Sequence, residues 1–147
     1  MNRLLIILSL VLLVSCDTSE GESSLVATIP YPLHSKIVGE WQGTDGSGAS
    51  ASFVFSENRD VKMIIGNLVI DTETVGAKVS WQLDTNQDPM QLDIVTGSSV
   101  EDGGVTPLII RFVTDNKIQL RISEDGTSRP VGFSSSDTKN QIVLTRR

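Results

Sequence analysis

Apolar side chains recur at every second position through most of the chain after residue 37. Phe53 and Phe55 share one face with Ala51, and the same spacing continues in six later segments. A period of two is typical of a strand with one buried face, whereas a helix repeats every 3.6 residues. We therefore expect about eight short strands and no helix longer than a single turn. The later apolar sets are Val61, Met63 and Ile65; Val79, Trp81 and Leu83; Met90, Leu92 and Ile94; Leu108, Ile110 and Phe112; Ile118, Leu120 and Ile122; and Ile142 and Leu144.

Turn-forming residues separate these segments. They include Asp45-Gly46, Asn58-Arg59-Asp60, Asn86-Gln87-Asp88-Pro89, Asp102-Gly103-Gly104, Asp115-Asn116 and Glu124-Asp125-Gly126. Short strands joined by such turns favour an antiparallel sandwich or an up-and-down barrel, and closure into a barrel removes the exposed edges. We predict an all-β, antiparallel up-and-down barrel of about eight strands over residues 37–147. A barrel of this size is either filled by side chains or holds one small ligand, and the pattern allows both.

The first sixteen residues follow a different pattern. Arg3 precedes an apolar run from Leu4 to Val14 that only Ser9 interrupts. This run is shorter than the roughly 20 apolar residues that cross a bilayer, and it suits the core of a secretory signal peptide. Its last four residues, Leu13-Val14-Ser15-Cys16, resemble the bacterial lipobox, in which the cysteine becomes linked to diacylglycerol. The resemblance implies a lipoprotein signal peptide over residues 1–15 and a lipid anchor at Cys16.

A polar segment separates this cysteine from the strands. Residues 17–24 are rich in Ser, Thr, Glu and Gly, and Pro30-Tyr31-Pro32 follows. Such a composition buries too little apolar surface to fold by itself. We predict a flexible, lipid-anchored tether over residues 16–36, with His34 solvated. The alternative is that residues 25–33 lie along the domain as an extra edge strand.

The charge balance excludes one class of partner. Twelve Lys and Arg residues face eighteen Asp and Glu residues, giving a net charge of −6, and no basic cluster is present. Nucleic-acid binding requires a basic face, so we expect no nucleic-acid partner. Cys16 is the single cysteine, which excludes an internal disulfide and a cysteine-based zinc site.

The residues that support catalysis are scarce. His34 is the only histidine, and residues 37–147 contain neither His nor Cys, so a Ser-His-Asp triad and a zinc or copper site are not expected. Asp84, Asn86 and Asp88 alternate like the start of a calcium loop, but Pro89 occupies the position that requires Gly. We expect a solvated hairpin turn there. The alternation also directs the strand carboxylates outward, and we predict a non-enzymatic protein without metal or cofactor.

The first strand begins with Gly39-Glu40-Trp41-Gln42-Gly43, which looks like the Gly-x-Trp opening of lipocalin-type barrels. Together with the later segments, it resembles the small lipocalin-like domain of bacterial envelope proteins over residues 37–147. The resemblance implies a barrel with a general binding habit, but no particular reaction or ligand. It departs from the family pattern at 107–112, where the register of the strand stays open. The supporting segments are Trp81-Gln82-Leu83-Asp84, Pro89-Met90-Gln91-Leu92-Asp93-Ile94, Asn116-Lys117-Ile118-Gln119-Leu120, Ser128-Arg129-Pro130-Val131-Gly132-Phe133 and Leu144-Thr145-Arg146.

Gly39, Trp41, Arg146 and Arg129 receive structural roles. Trp41, beside Gly39 at the start of the first strand, is expected to plug the closed end of the barrel. Strand parity places Arg146 on the same side, where its guanidinium can lie over the indole in a cation–π contact; the alternative is a solvated terminus. Arg129 is expected to tie its loop to Asp93 or to a backbone carbonyl, with anion binding at the barrel mouth as the alternative.

These observations predict a lipid-anchored, non-catalytic lipoprotein of the bacterial cell envelope, in the outer or the inner membrane. Its partners would be the membrane, through Cys16, and a small hydrophobic ligand inside the barrel. The alternative is a protein-interaction or inhibitor-like module with a filled core, acting through loops such as Ser98 to Gly104. If the interior holds a ligand, its lining would be Phe53, Phe55, Met63, Trp81 and Phe112.

Overall fold

The structure, a computed structural model, describes residues 32–98 and 103–147. The signal peptide, Cys16 and residues 17–31 of the expected tether lie outside these ranges. Among the described residues, no helix is long and apolar enough to span a bilayer. The elements are α1 (Leu33–Ile37), β1 (Gly39–Asp45), β2 (Ser50–Phe55), β3 (Val61–Ile65), β4 (Leu68–Ile70), α2 (Thr72–Val75), β5 (Val79–Asp84), β6 (Met90–Thr96), β7 (Gly104–Thr114), β8 (Lys117–Ile122) and β9 (Gln141–Arg146).

The nine strands form one antiparallel sheet in the order β4-β3-β2-β1-β9-β8-β7-β6-β5. Strands that follow one another in sequence are neighbours, apart from β4 and β5, and β1 pairs with β9 to join the two ends of the domain. The sheet curls until β5 returns to the start of β3, where Asp60 and Ser80 form a bridge and the Trp81 N–H donates to the Arg59 carbonyl at 2.9 Å. The result is a nearly closed barrel, which confirms the predicted fold class.

The sequence pattern does not place β4 or either of the two helices. β4 forms a tight hairpin with β3, and its three consecutive apolar residues carry no alternation by which a strand can be recognised. The chain then crosses to β5 through α2. The Asp71 carboxylate caps this helix by accepting the Thr74 N–H at 2.8 Å, and the helix ends at Gly76, whose φ of 72° is left-handed. Both helices are single turns, as the sequence predicts.

The domain begins earlier than the predicted boundary at residue 37. Residues 33–36, assigned to the tether by composition, form α1 together with Ile37, which packs into the core at one end of the barrel. Ile37 is fully buried, and its carbonyl accepts the Trp41 Nε1–H at 2.7 Å. His34 is half-buried rather than solvated, because its Nε2–H donates to the Leu83 carbonyl at 2.8 Å. Packing against the barrel orders this turn, which the local composition alone would not. We call this end of the barrel the helix end.

The inward faces predicted from the alternation make up the core. Residues on both sides of the barrel meet there, including Trp41, Phe53, Phe55, Trp81, Leu92, Ile110, Ile118, Leu120 and Leu144. The sequence leaves the register at residues 107–112 undetermined. In the structure, β7 pairs with β6 so that Leu108 lies opposite Leu92 and Ile110 lies opposite Met90. The register of β7 against β8 shifts between Phe112 and Thr114, and Phe112 is only half-buried. Ile109, on the outward face, is nevertheless buried, and a loop described below explains this.

Candidate functional site

Four of the five residues expected to line an internal ligand site meet in the core. Phe53 and Phe55 are each 1% exposed and stack with ring centroids 5.9 Å apart. Trp81, 2% exposed, meets Phe55 edge-on at 5.8 Å, and Met63 is buried nearby on β3. Phe112 packs at the margin of this cluster. Phe55 therefore contacts both Phe53 and Trp81, as core side chains do.

The five main cavities of the described residues lie at the surface and have volumes of about 240 to 550 Å³. Trp81 borders one of them, whereas Phe53, Phe55, Met63 and Phe112 border none. Within the described conformation the interior is thus occupied by side chains. That these five residues contact a ligand stays a prediction.

The helix end is held by Arg146, the penultimate residue. Its guanidinium lies over the Trp41 ring, 4.3 Å from the centroid, which is the contact predicted from strand parity. One nitrogen donates to the Val38 carbonyl at 2.8 Å, and the other donates to the carbonyl of Lys36. Gly39 makes room for the side chain: a Cβ there would lie 2.7 Å from Arg146 Nη1, and the φ of +130° suits glycine. These contacts connect β9, β1 and α1.

The most elaborate surface feature is the connection between β8 and β9, residues 123–140, which we call the strap. It covers the outer face of the barrel wall, where Arg129 donates to the Asp93 carboxylate at 2.5 Å and to the Leu108 carbonyl at 2.7 Å. The structure thus agrees with the structural role expected for Arg129. Arg129 and its neighbours also line a cavity over Ile109, so this part of the strap lies above that residue.

Two further arginines hold the strap. Arg121, on the outward face of β8, donates to the Asp137 carboxylate at 2.6 Å and to the Gly132 carbonyl. Arg111, on the outward face of β7, lies over the Phe133 ring at 4.5 Å. The sequence pattern does not predict a role for either arginine, because alternation places both outward, where a solvated side chain is expected.

Gln141 completes the attachment of the strap. It is 6% exposed and is the one buried polar residue of the described chain. Its amide nitrogen donates to the carbonyls of Ser134 and Asp137, and its amide oxygen accepts from Gln119. Satisfying a buried amide in this way requires a fixed strap conformation, because each lost partner leaves a desolvated polar group.

One signal in the sequence could have revealed a covered outer wall: Leu108-Ile109-Ile110 is apolar on both faces.

The ordered strap presents an apolar side chain to solvent. Val131 is 96% exposed, directly after Pro130 and two residues after the Arg129 ion pair. Beside it lies the largest of the described cavities, about 550 Å³, which Arg121, Asp125 and Val131 help to line. Asp125 accepts hydrogen bonds from the Ser123 and Ser128 hydroxyls and from the Thr127 and Ser128 N–H groups, which hold its pKa well below the usual range. This carboxylate therefore stays charged and organises the strap from within.

At the helix end, a cavity of about 340 Å³ lies beside the barrel seam between β3 and β5. We call it the seam cavity. Its lining residues are His34, Ser35, Val38, Glu57, Arg59 and Trp81.

Neither the Asp84 turn nor any other described cluster has the geometry of a metal site. Asp84 accepts the Asn86 N–H at 2.9 Å, which forms the expected hairpin turn and lowers the pKa of the carboxyl. Across residues 32–98 and 103–147, no three His, Cys, Asp or Glu side chains are grouped so as to hold a metal ion.

Comparison of the chain with protein-family models, with curated proteins and with solved structures found no match.

Proposed function

We propose that this protein is a non-catalytic, lipid-anchored lipoprotein of the bacterial envelope that acts as a protein-interaction module through the outer surface of a filled barrel. The observation that carries the proposal is the packing of Trp41, Trp81, Phe53 and Phe55, the four largest fully buried side chains, against the rest of the core. An interior that holds a ligand needs free volume, and natural cores pack densely enough to leave little.

The strap supports an outward-facing role. A connection of eighteen residues between adjacent strands far exceeds the usual two to five residues of a hairpin, and long ordered loops are commonly functional. This one is held by Arg111, Arg121 and Arg129, so it presents a single surface to a partner. A preorganised surface binds with less loss of conformational entropy than a mobile one. The loop Ser98 to Gly104, considered first from the sequence, lies largely outside the described residues.

The lipid anchor is tested by mass spectrometry of the protein purified from the membranes of its bacterial host. We expect the first residue to be Cys16 with diacylglycerol attached, and we expect Cys16→Ser to release the chain from the membrane fraction. An unmodified thiol, or a chain that still carries residues 1–15, would contradict this part of the proposal.

The surface role is tested by placing a photo-crosslinking amino acid at position 131 in living cells. The matched control is position 68, because Leu68 is also an exposed apolar side chain, at 58%, but lies on β4 away from the strap. We expect a discrete crosslinked partner from position 131, none from position 68, and loss of the product when Arg129→Met frees the strap. Identical patterns from both positions, or no product from position 131, would refute the role of the strap.

An internal hydrophobic ligand would have to displace part of the aromatic cluster around Phe55 and Trp81. That function stays a prediction, and native mass spectrometry of the purified domain tests it directly. A copurified lipid of defined mass, bound in equal amount to the protein, would support the internal site over the surface role.

A further inference from the structure

Arg59 has an unusual backbone conformation. Its φ is 72°, the only positive φ of a non-glycine residue among the described residues. The Arg59 N–H donates to the Ser56 carbonyl at 3.1 Å, and the Ser56 N–H donates to the Asp60 carbonyl at 2.9 Å. In a β2–β3 turn of this kind the left-handed position normally belongs to glycine, because a Cβ is disfavoured there. A side chain retained at such a position suggests that its chemistry is needed.

The Arg59 side chain is directed to the seam cavity. Its guanidinium lies 5.1 Å from the centroid of the Trp81 ring, and the Arg59 carbonyl accepts the Trp81 N–H. The indole is itself fixed, since its Nε1–H donates to the Ser56 carbonyl at 3.2 Å. His34, bonded to Leu83 through Nε2, borders the cavity from the other side with its ring 6.5 Å from the indole. Both Trp81 and His34 are thus held in place around the cavity.

Two opposite charges border this cavity without neutralising each other. Glu57 and Arg59 both line it, but neither belongs to any of the six ion pairs of the described residues. A guanidinium can bind a phosphate through two parallel hydrogen bonds, and a carboxylate can accept from an ammonium. A ligand that carries both charges would satisfy the two groups together without adding net charge to the cavity.

The cavity lies at the helix end beside α1, the first described element after Cys16 in the sequence. If Cys16 carries the lipid anchor, as the proposed function requires, the tether connects this end to the bilayer. We propose that the seam cavity binds a phosphate–ammonium zwitterion of the phosphoethanolamine type, with the phosphate on Arg59 and the ammonium on Glu57. The group can come from a membrane lipid or from a soluble compound. The site itself depends only on the cavity, whereas the lipid as its source also rests on the proposed anchor.

The probe for the site is soluble glycerophosphoethanolamine, titrated into the chain carrying Cys16→Ser so that no attached lipid competes. The readout is the NMR signal of the Trp81 indole N–H, with the Trp41 indole as an internal reference. We expect a saturable shift of Trp81 that exceeds the shift of Trp41. Vesicles containing phosphatidylethanolamine should reproduce it if the lipid is the source, whereas vesicles of phosphatidylglycerol alone should not.

Three variants separate binding from folding. Arg59→Gly should keep or raise the melting temperature, because glycine suits a φ of 72°, yet weaken binding at least about tenfold, the effect of losing a charged hydrogen bond. Glu57→Gln should weaken glycerophosphoethanolamine but leave glycerol phosphate unchanged. Lys117→Gln, an exposed charge change at the start of β8, should bind as the parent does.

Different results would contradict the binding site and the lipid anchor. No saturable Trp81 shift, or unchanged affinity in a folded Arg59→Gly variant, would overturn the site whatever the state of Cys16. A shift with the soluble probe but none with vesicles would assign the site to a soluble zwitterion and support the site. An unlipidated Cys16 together with a saturable shift would count against the anchor alone.

Discussion

Replacing Arg146 by Met tests how the helix end is held together. Methionine preserves most of the apolar length of the side chain but removes the guanidinium that lies 4.3 Å over Trp41 and donates to the Val38 and Lys36 carbonyls. The cation–π contact contributes about 0.5–2 kcal/mol, and a hydrogen bond from a charged donor about 1.5–3 kcal/mol. Because these contributions overlap, we expect a loss of about 2–4 kcal/mol in the free energy of unfolding.

The assay is thermal unfolding followed by circular dichroism. For a domain of this size, 1 kcal/mol corresponds to roughly 4 °C, so the melting temperature of Arg146→Met should fall by about 8–16 °C. Arg147→Met is the matched control, because its side chain is 66% exposed and its ion pair with Glu40 spans 3.7 Å. Exposed pairs contribute little, and we expect a change of less than about 4 °C. Equal melting temperatures for the two variants would refute the role assigned to Arg146.

Three further changes test other parts of the molecule. Gly46→Ala should destabilise the domain by about 1–3 kcal/mol in chemical denaturation, because the new Cβ would lie 1.6 Å from a strap carbonyl oxygen. Gly132→Ala is the control and should be neutral, because a Cβ there meets open space. Arg129→Met should accelerate chymotrypsin cleavage at Phe133, because the strap loses its contacts with the barrel wall; an unchanged cleavage rate would contradict this. Asp71→Asn should lower the melting temperature at pH 7. The pKa of Asp71 is depressed by its ion pair with a lysine and by hydrogen bonds at the start of α2. The charged carboxylate therefore stabilises the folded state above pH 3.8, the ordinary pKa, and this stabilisation is lost progressively as the pH falls below 3.8 toward the depressed pKa. A difference in melting temperature between Asp71→Asn and the parent that is as large at pH 2 as at pH 7 would contradict that cause.

The elements that could be predicted are those whose stability depends on a local pattern. Alternation identified seven of the nine strands and the inward faces of the core, because a half-buried strand imposes a period of two on its own sequence. The same parity placed Arg146 over Trp41, and simple charge pairing placed Arg129 near Asp93. The Arg146 contact follows from the direction in which its side chain leaves β9.

The parts that were missed depend on contacts between distant segments. The turn α1 is ordered by Ile37 packing into the barrel end, and nothing in residues 33–36 alone encodes that burial. The strap contains few apolar residues and therefore resembles a solvated loop; its conformation comes from arginines and a glutamine on other elements. The seam cavity depends on the closure of β5 against β3, which brings Trp81 to Arg59. Such sites require the register of the whole barrel.

In the proposed function the barrel interior is filled and the protein acts through its surface. Titration with a small apolar probe such as benzene tests it most directly, with the Trp81 indole N–H as the NMR readout in the parent and in Phe55→Ala. A Phe-to-Ala change in a core costs about 3–5 kcal/mol and leaves a cavity that such a probe can enter; Phe55→Leu provides a milder variant. We expect saturable binding to Phe55→Ala and none to the parent protein. Saturable binding to the parent, with a shift of Trp81 of similar size, would contradict it.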